Sequence, residues 1–151
     1  MKIIEANKFH IPVIIEMLKH YREVTPVSFF KDINNEEYIT TLLTHILAGR
    51  GVVLLSYKED EPTGMLLAFI DTSIWDSNLC VLKELAYWVE PEFRGTSAGY
   101  RLLTKYNEVA QSLLDSGRIK TWTISKMVNS PDLDYTKLGF SKVEETWSMG
   151  V

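Results

Sequence analysis

The stretch PEFRGTSAGYRLL, residues 91–103, decides how this chain is read. Proline, arginine and glycine close an apolar run, and a long helical pattern follows at once. Behind it lies LCVLKELAYWVE, residues 79–90, apolar on both faces, as expected of a strand central in its sheet. Ahead of it, Leu102, Leu103, Tyr106, Val109, Ala110, Leu113 and Leu114 form one stripe at helical spacing, and Gly117 stands where a C-terminal cap belongs. Arg94, Gly95, Thr96, Ser97, Ala98 and Gly99 join the two. A helix N-terminus offers unpaired N–H groups and partial positive charge, and a turn of small residues lets a phosphate approach them. With Arg94 as a cation at its mouth, this turn suits a pyrophosphate. It suits equally a tight strand-to-helix connection that needs glycine for its backbone angles. Two other phosphate motifs are excluded. Gly99 is followed by Tyr100 rather than the Lys of a P-loop, and the turn comes too late in the chain for a dinucleotide fingerprint.

Working outward, residues 2–6 read as a short strand. Ile11, Ile14, Ile15, Leu18 and Tyr21 recur at helical spacing over residues 9–21, with Asn7 as a cap and Pro12 acceptable only near the first turn. A second helix spans residues 34–49, capped by Asn34 or Asn35 and ended by Gly49. GVVLLSYK and MLLAFID are strands joined by the turn KEDEPTG. After the long helix, residues 118–126 form a further strand. Ser130-Pro131 opens a short helix to about Leu138, and Gly139 ends it. Val143, Trp147, Met149 and Val151 alternate with polar residues in a last strand with one wet face. The order β-α-α-β-β-β-α-β-α-β implies one domain over residues 1–151, an α/β (α+β) layer fold whose mixed sheet carries helices on both faces.

Composition bounds the function. The 151 residues are 46% apolar and 24% charged, an ordinary globular balance. Net charge is −4 with no basic stripe, which argues against a nucleic-acid partner. No apolar run approaches the ~20 residues of a membrane span, and the first residues lack a signal peptide's apolar centre. The single Cys80 excludes an internal disulfide framework, and together these features favour a cytoplasmic location. Cys80 itself reads as a buried thiol. His10, His20 and His45 are scattered, with no metal-ligand spacing, so no metal is expected.

YWVEPEFRGTSAGYRLL resembles the acetyl-coenzyme A motif of the GNAT family of N-acetyltransferases. Val89-Glu90-Pro91 fits the Val-x-Pro of that pattern, and Arg94, Ala98-Gly99 and Leu102-Leu103 fit the rest. Ser97 stands at the middle glycine of the pattern; it is small and keeps its N–H. Tyr135-Thr136-Lys137-Leu138-Gly139-Phe140 is similar to the family's Tyr-x-Lys-x-Gly-Phe, and residues 3–18 to its first strand and helix.

The resemblance implies a mostly antiparallel sheet of six to seven strands and a cosubstrate, acetyl-coenzyme A. The strand before the turn would splay from its neighbour at a bulge, freeing backbone groups of Tyr87, Trp88 and Val89 for the pantetheine arm. One N–H there would polarise the thioester carbonyl. Gly95, Thr96, Ser97, Ala98, Gly99 and Tyr100, with Arg94, would hold the pyrophosphate, and Asn129 would stand in for an Asn that holds the pantetheine.

Acetyl transfer to an amine has two proton problems, because the nucleophile must be neutral and the departing sulfur protonated. At pH 7 less than ~0.1% of a lysine amine is neutral, against roughly a tenth of an α-amine. Glu84, between apolar neighbours on the strand, is the candidate base, burial raising its pKa; a solvent-facing strand glutamate is the plain alternative. Glu90, expected to face out beside Pro91, is a weaker candidate. Tyr135 is the candidate acid; its plain alternative is a ring packed on the core. Trp75, Tyr21, Phe29 and Phe30 could line an acceptor groove or pack in a core or dimer contact. The expected activity is direct transfer from acetyl-coenzyme A to an amine acceptor of a small molecule or protein. The alternative is a coenzyme A-binding module without catalysis. Many such folds form homodimers, and no interface is specified here.

Overall fold

The computed structural model describes residues 1–131 and 133–150. Strand β1 is Lys2–Glu5, β2 Gly51–Lys58, β3 Glu61–Thr72, β4 Cys80–Val89 and β5 Thr121–Thr123. The helices are α1 Ile11–Glu23, α2 Glu36–His45 and α3 Ala98–Asp115. The local signals act where they stand. Pro12 sits in the first turn of α1, and the Asn35 side chain accepts the Tyr38 N–H at 3.0 Å to cap α2. A π turn, Ile46–Arg50, extends α2 until Gly49 at φ +114° breaks it.

The strands lie in the order β1-β2-β3-β4-β5, antiparallel through β4, with β4 and β5 parallel. Side chains alternate between two buried layers. Val52, Leu54, Leu66, Ala68 and Leu82 pack with Leu102, Leu103 and Tyr106 of α3. Val53, Leu55, Met65, Leu67, Ala86 and Trp88 pack with Ile14 and Met17 of α1 and with Leu43 of α2. Helices therefore cover both faces, which is why β2 and β3 read as unbroken apolar runs.

Several expectations are corrected. The middle strand is β3, not the strand of residues 79–90: β4 is apolar on both faces because helices cover them, while β5 adjoins it over three residues only. The sheet has five strands among the described residues, not six or seven. Of residues 118–126 only Thr121–Thr123 form a strand, preceded by one backbone bond from the Lys120 N–H to Cys80 O (2.8 Å). Ser130-Pro131 opens no helix; a single 3₁₀ turn, Tyr135–Leu138, forms instead, capped by Asp134. Residues 141–150 form no strand, and Val143, Trp147 and Met149 expose 81%, 86% and 99% of their surface; Val151, the last residue of the expected strand, lies outside the described residues. Alternation fixes which side chains would share a face, but a strand also needs a partner edge, and among the described residues this segment pairs with none.

The β2–β3 hairpin turns through Glu59-Asp60, with Lys58 paired to Glu61. Glu59 has φ +57°, a left-handed conformation that a non-glycine residue adopts at a cost. Asn tolerates that conformation better, so Glu59→Asn is expected to stabilise the fold by about 0.5–1 kcal/mol. Urea unfolding checks this.

Candidate functional site: a forked sheet

The site begins with an extra residue. Along β4, Lys83 pairs with Phe69 and Glu84 with Ala68, but the next partner, Leu67, faces Ala86. Leu85 is the unpaired residue of a bulge and is pushed outward, 39% exposed. The bulge switches the parity of the strand. Leu82 belongs to the layer under α3, whereas Ala86, an even number of residues later, lies in the layer under α1 and α2. Glu84, opposite Ala68 of the α3 layer, is the last residue before the switch.

On its other side β4 loses its partner at the same level. Pairing with β5 ends at Lys83–Thr123. Two residues further on, the Ser125 N–H donates to the Glu84 carboxylate (3.3 Å) rather than to the β4 backbone. The strands fork here, and among the described residues no strand pairs with that edge of β4 over residues 84–89. The open edge is roughly 20 Å long at ~3.3 Å per residue. Tyr106 of α3, fully buried, holds the apex. Its hydroxyl donates to Thr123 O (2.7 Å) and lies 3.4 Å from Leu82 O, one carbonyl from each arm.

Glu84 sits partly buried in the fork with one hydrogen bond, and burial raises its carboxyl to about 7 against the opposing effect of the Ser125 N–H. Tyrosines surround it. Burial first, and the Glu84 charge second, raise Tyr21 and Tyr135 to about 12. Burial likewise raises Tyr87 and Tyr106, aided at Tyr87 by Tyr135 and at both by the Glu84 charge. Asn107 of α3 fixes two of the surroundings, accepting from Trp122 Nε1 (2.9 Å) and donating to Leu138 O (3.2 Å) at the end of the Tyr135 turn. The Tyr135 ring packs on Phe140 and lies under Lys126 Nζ, 5.5 Å from the ring centre.

At the far end of the open edge the chain turns into α3. Pro91–Phe93 is a 3₁₀ turn, Gly95 has φ +85°, and the Thr96 hydroxyl donates to Phe93 O (2.5 Å) and accepts the Ala98 N–H (3.3 Å). Gly99 and Tyr100 lie in the first turn of α3, where no intrahelical acceptor exists. Ser97 stands at the helix start without capping it. Gly99 is required by a close approach, since a Cβ there would lie 2.7 Å from the Tyr87 hydroxyl. That hydroxyl is buried and has no hydrogen-bond partner among the described residues, leaving an unsatisfied donor beside the helix start.

The structure thus brings Glu84, Tyr87 and Tyr135 together at the fork, and places Val89 and residues 95–100 at its outer end. Trp88 turns its backbone to β3, two residues before the Glu90 N–H that donates to Thr63 O, and its side chain turns into the opposite layer, edge-on to Tyr21. Arg94 is folded back, its Nε donating to Val89 O (3.0 Å) and its guanidinium 4.7 Å from the Trp88 ring centre. Asn129 reaches across to α1 and donates to Val24 O (2.7 Å). Glu90, expected to face out, does not. Its side chain is only 14% exposed and bonds His20 Nδ1 at 2.7 Å. Trp75 is 86% exposed at the β3–β4 turn, and Phe29 and Phe30 stack on each other at the surface. Sequence reasoning missed the roles of Tyr106 and His20. The Glu16–His20 spacing was legible as an i,i+4 pair, whereas the partner Glu90 lies 70 residues away. A hollow of about 620 Å³ lies between the Lys58–Glu61 turn and Phe93, and one of about 310 Å³ lies beside Leu42 and His45. No helix among the described residues is long and apolar enough to cross a membrane.

Gly99→Ala should destabilise the protein by about 1–3 kcal/mol through the clash with the Tyr87 hydroxyl. Adding Tyr87→Phe removes the oxygen that is struck and should recover most of the loss. A double-mutant cycle by denaturant unfolding checks this, and additive losses would exclude the contact.

The fold has relatives among solved structures. A Trypanosoma brucei acetyltransferase shares 16% identity at TM-score 0.69, covering 98% of this chain and 97% of its own. A predicted acetyltransferase from Clostridium acetobutylicum, solved with acetyl-CoA, shares 12% at TM-score 0.72, covering 98% and 94%. An aminoglycoside acetyltransferase from an uncultured soil metagenomic sample, in complex with sisomicin, shares 15% at TM-score 0.65, covering 98% and 95%. No curated protein matches the sequence. The sequence pattern of the acetyltransferase (GNAT) family matches residues 15–140, a span that holds the fork, the turn after β4 and the Tyr135 turn, and the chain belongs to that family.

Proposed function

We propose that this chain transfers an acetyl group from acetyl-coenzyme A to a primary amine by direct attack within a ternary complex. The observation that carries the reading is the fork itself, an open strand edge with a carboxyl of raised pKa at its apex and helix-start N–H groups at its outer end. The residues fit such a cosubstrate. On the β5 side no strand among the described residues pairs with Tyr87 or Val89, whose backbone there would pair with the pantetheine arm as an added strand would, the Val89 carbonyl once it exchanges Arg94 Nε for the ligand; Trp88, between them, turns its backbone to β3. The N–H groups of Gly95, Ser97, Gly99 and Tyr100, with the unpartnered Tyr87 hydroxyl nearby, would hold a pyrophosphate at the start of α3, while those of Thr96 and Ala98 are engaged within the turn.

Glu84 takes the proton that the attacking ammonium must lose, directly or through water. A base near 7 is ionised in about half of the molecules at neutral pH and is still basic enough to act. The neutral amine nitrogen then bonds to the thioester carbon, a backbone N–H at the open edge stabilises the oxyanion, and the C–S bond breaks as Tyr135 gives its proton to the departing sulfur and regains the second proton that the nitrogen must lose. Tyr135 hydrogen-bonds the departing sulfur. At about 12 it stays protonated, yet it is a poor donor to a thiolate, whose conjugate acid has a pKa of ~8.5. Its proximity to Glu84 eases this. Once Glu84 holds the amine proton its charge is gone, and with it one of the causes that raise Tyr135. Uptake of the first proton therefore makes the second easier to release.

A second reading, a coenzyme-binding module without catalysis, draws on Ser97 in place of the motif glycine and on Asn129, whose amide is engaged by Val24. Calorimetry with acetyl-coenzyme A beside a thiol-release assay separates the two. The amine panel should span polyamines, aminoglycosides, amino acids and peptide N-termini. Release with at least one amine supports the transferase, and binding without release across the panel supports the module.

Glu84→Gln should lower turnover by roughly 10²–10⁴-fold and remove an ascending limb near pH 7 from the rate profile. The same change should stabilise the protein at alkaline pH. Burial holds the folded Glu84 above its ordinary value, so the wild type loses stability as pH rises from about 4.5 to about 7, by roughly 2 kcal/mol after allowance for partial solvation. The melting temperature of Glu84→Gln should thus exceed the wild type's at pH 8.5, and the gap should narrow toward pH 5. Tyr135→Phe should slow turnover while leaving the calorimetric affinity for acetyl-coenzyme A nearly unchanged; unaltered turnover would remove Tyr135 from the mechanism.

A further inference from the structure

The last turns of α1 are fastened to the end of β4 by one side chain. His20 Nδ1 lies 2.7 Å from Glu90 Oε1, and its Nε2 lies 3.5 Å from Glu16 Oε1 one turn earlier. Both ring nitrogens face carboxylates. A neutral imidazole has one N–H and cannot donate to both, whereas the imidazolium can. The site also lies near the C-terminus of α1, where the helix dipole favours a cation.

Glu90 is the hinge residue between strand and turn. Its N–H donates to Thr63 O of β3 (2.9 Å), and its carbonyl accepts from Phe93 N–H (2.9 Å) in the turn that leads to Gly95. Its side chain, mostly buried, is the remaining point of attachment, and that point is His20. The next residue of α1, Tyr21, packs edge-on against Trp88 two positions before Glu90, and Arg94 lies over the same Trp88 ring. Helix, strand end and turn thus meet in one cluster. The charged groups around His20 are Glu16 and Lys19 on its own helix, Glu36 of α2 paired with Lys19 (2.6 Å), Glu90 at the end of β4, and Arg94 over Trp88.

We propose that His20 is a proton-dependent positioning residue, whose imidazolium clasps Glu90 to α1 and so holds the turn of residues 91–100 in the geometry that binds the coenzyme's phosphates. This rests on the reading of that turn given above. The bond to Glu90, aided by the charges of Glu90 and Glu16 and opposed by burial, holds His20 above its ordinary 6.5. The clasp is therefore complete below about 6.5 and is lost as pH rises through the folded value.

The test uses the full chain and coenzyme A. By NMR, the His20 ring should titrate above 6.5 in the wild type and fall toward 6.5 in Glu90→Gln. The amides of Glu90, Phe93 and Gly95 through Tyr100 should follow the same midpoint in the wild type and lose that step in His20→Gln. The ratio of wild-type to His20→Gln affinity for coenzyme A cancels titration of the coenzyme's own phosphates and of Glu84. It should be roughly three- to tenfold at pH 6 and near one at pH 8.5. A ratio that does not change with pH, or turn amides that ignore the His20 midpoint, would overturn the proposal. Absence of coenzyme binding at both pH values would instead strike the phosphate reading of the turn, and the amide shifts alone would then decide whether the clasp exists.

Discussion

One surplus residue in one strand organises this molecule. Because Leu85 has no partner on β3, β4 changes which faces its side chains serve, and that change falls where β5 stops pairing. A continuous ladder would have carried Ala86 to the α3 layer and left no edge open. The bulge instead places a carboxyl at the last position before the switch and leaves the residues after it with backbone on one side only. Tyr106 makes the fork rigid by bonding both arms at its apex, so the opening is built into the core rather than made by a loop.

The arrangement costs stability. A carboxyl raised by burial, a tyrosine hydroxyl buried without a partner and an unpaired strand edge are each features that a fold selected for stability alone would lack. They lie along one groove, from Glu84 through Tyr87 to the start of α3. Gly99 shows how closely the construction is fitted, since a Cβ there would have to displace the Tyr87 hydroxyl. At the outer end, Arg94 braces the turn against Trp88, and Glu90 ties it to α1. The turn is thus held by contacts on the opposite layer of the sheet.

Much of this was legible in the sequence because local chemistry decides it. Pro12, Asn35, Gly49 and Gly139 each act within a few residues of where they stand, and the stripe of α3 follows from spacing alone. The turn of residues 91–103 could be placed between strand and helix, although not told from a plain connection until its resemblance was weighed. The bulge could not be seen. Leu82 and Ala86 are both apolar, so a parity switch between them leaves no trace in the hydrophobic pattern. Glu90 read as outward-facing because its partner, His20, is distant in sequence. Residues 141–150 carry the alternation of a strand without a neighbouring edge in the fold, a condition that periodicity does not report.

Amide hydrogen exchange on the full chain, with and without saturating coenzyme A, tests the fork most directly. Binding at the open edge predicts slowed exchange at residues 86–89 and again at 95–100, with little change in β2. Protection confined to residues 95–100, or absent from both segments, would contradict the account, because the edge that the bulge leaves open would then not be where the ligand lies.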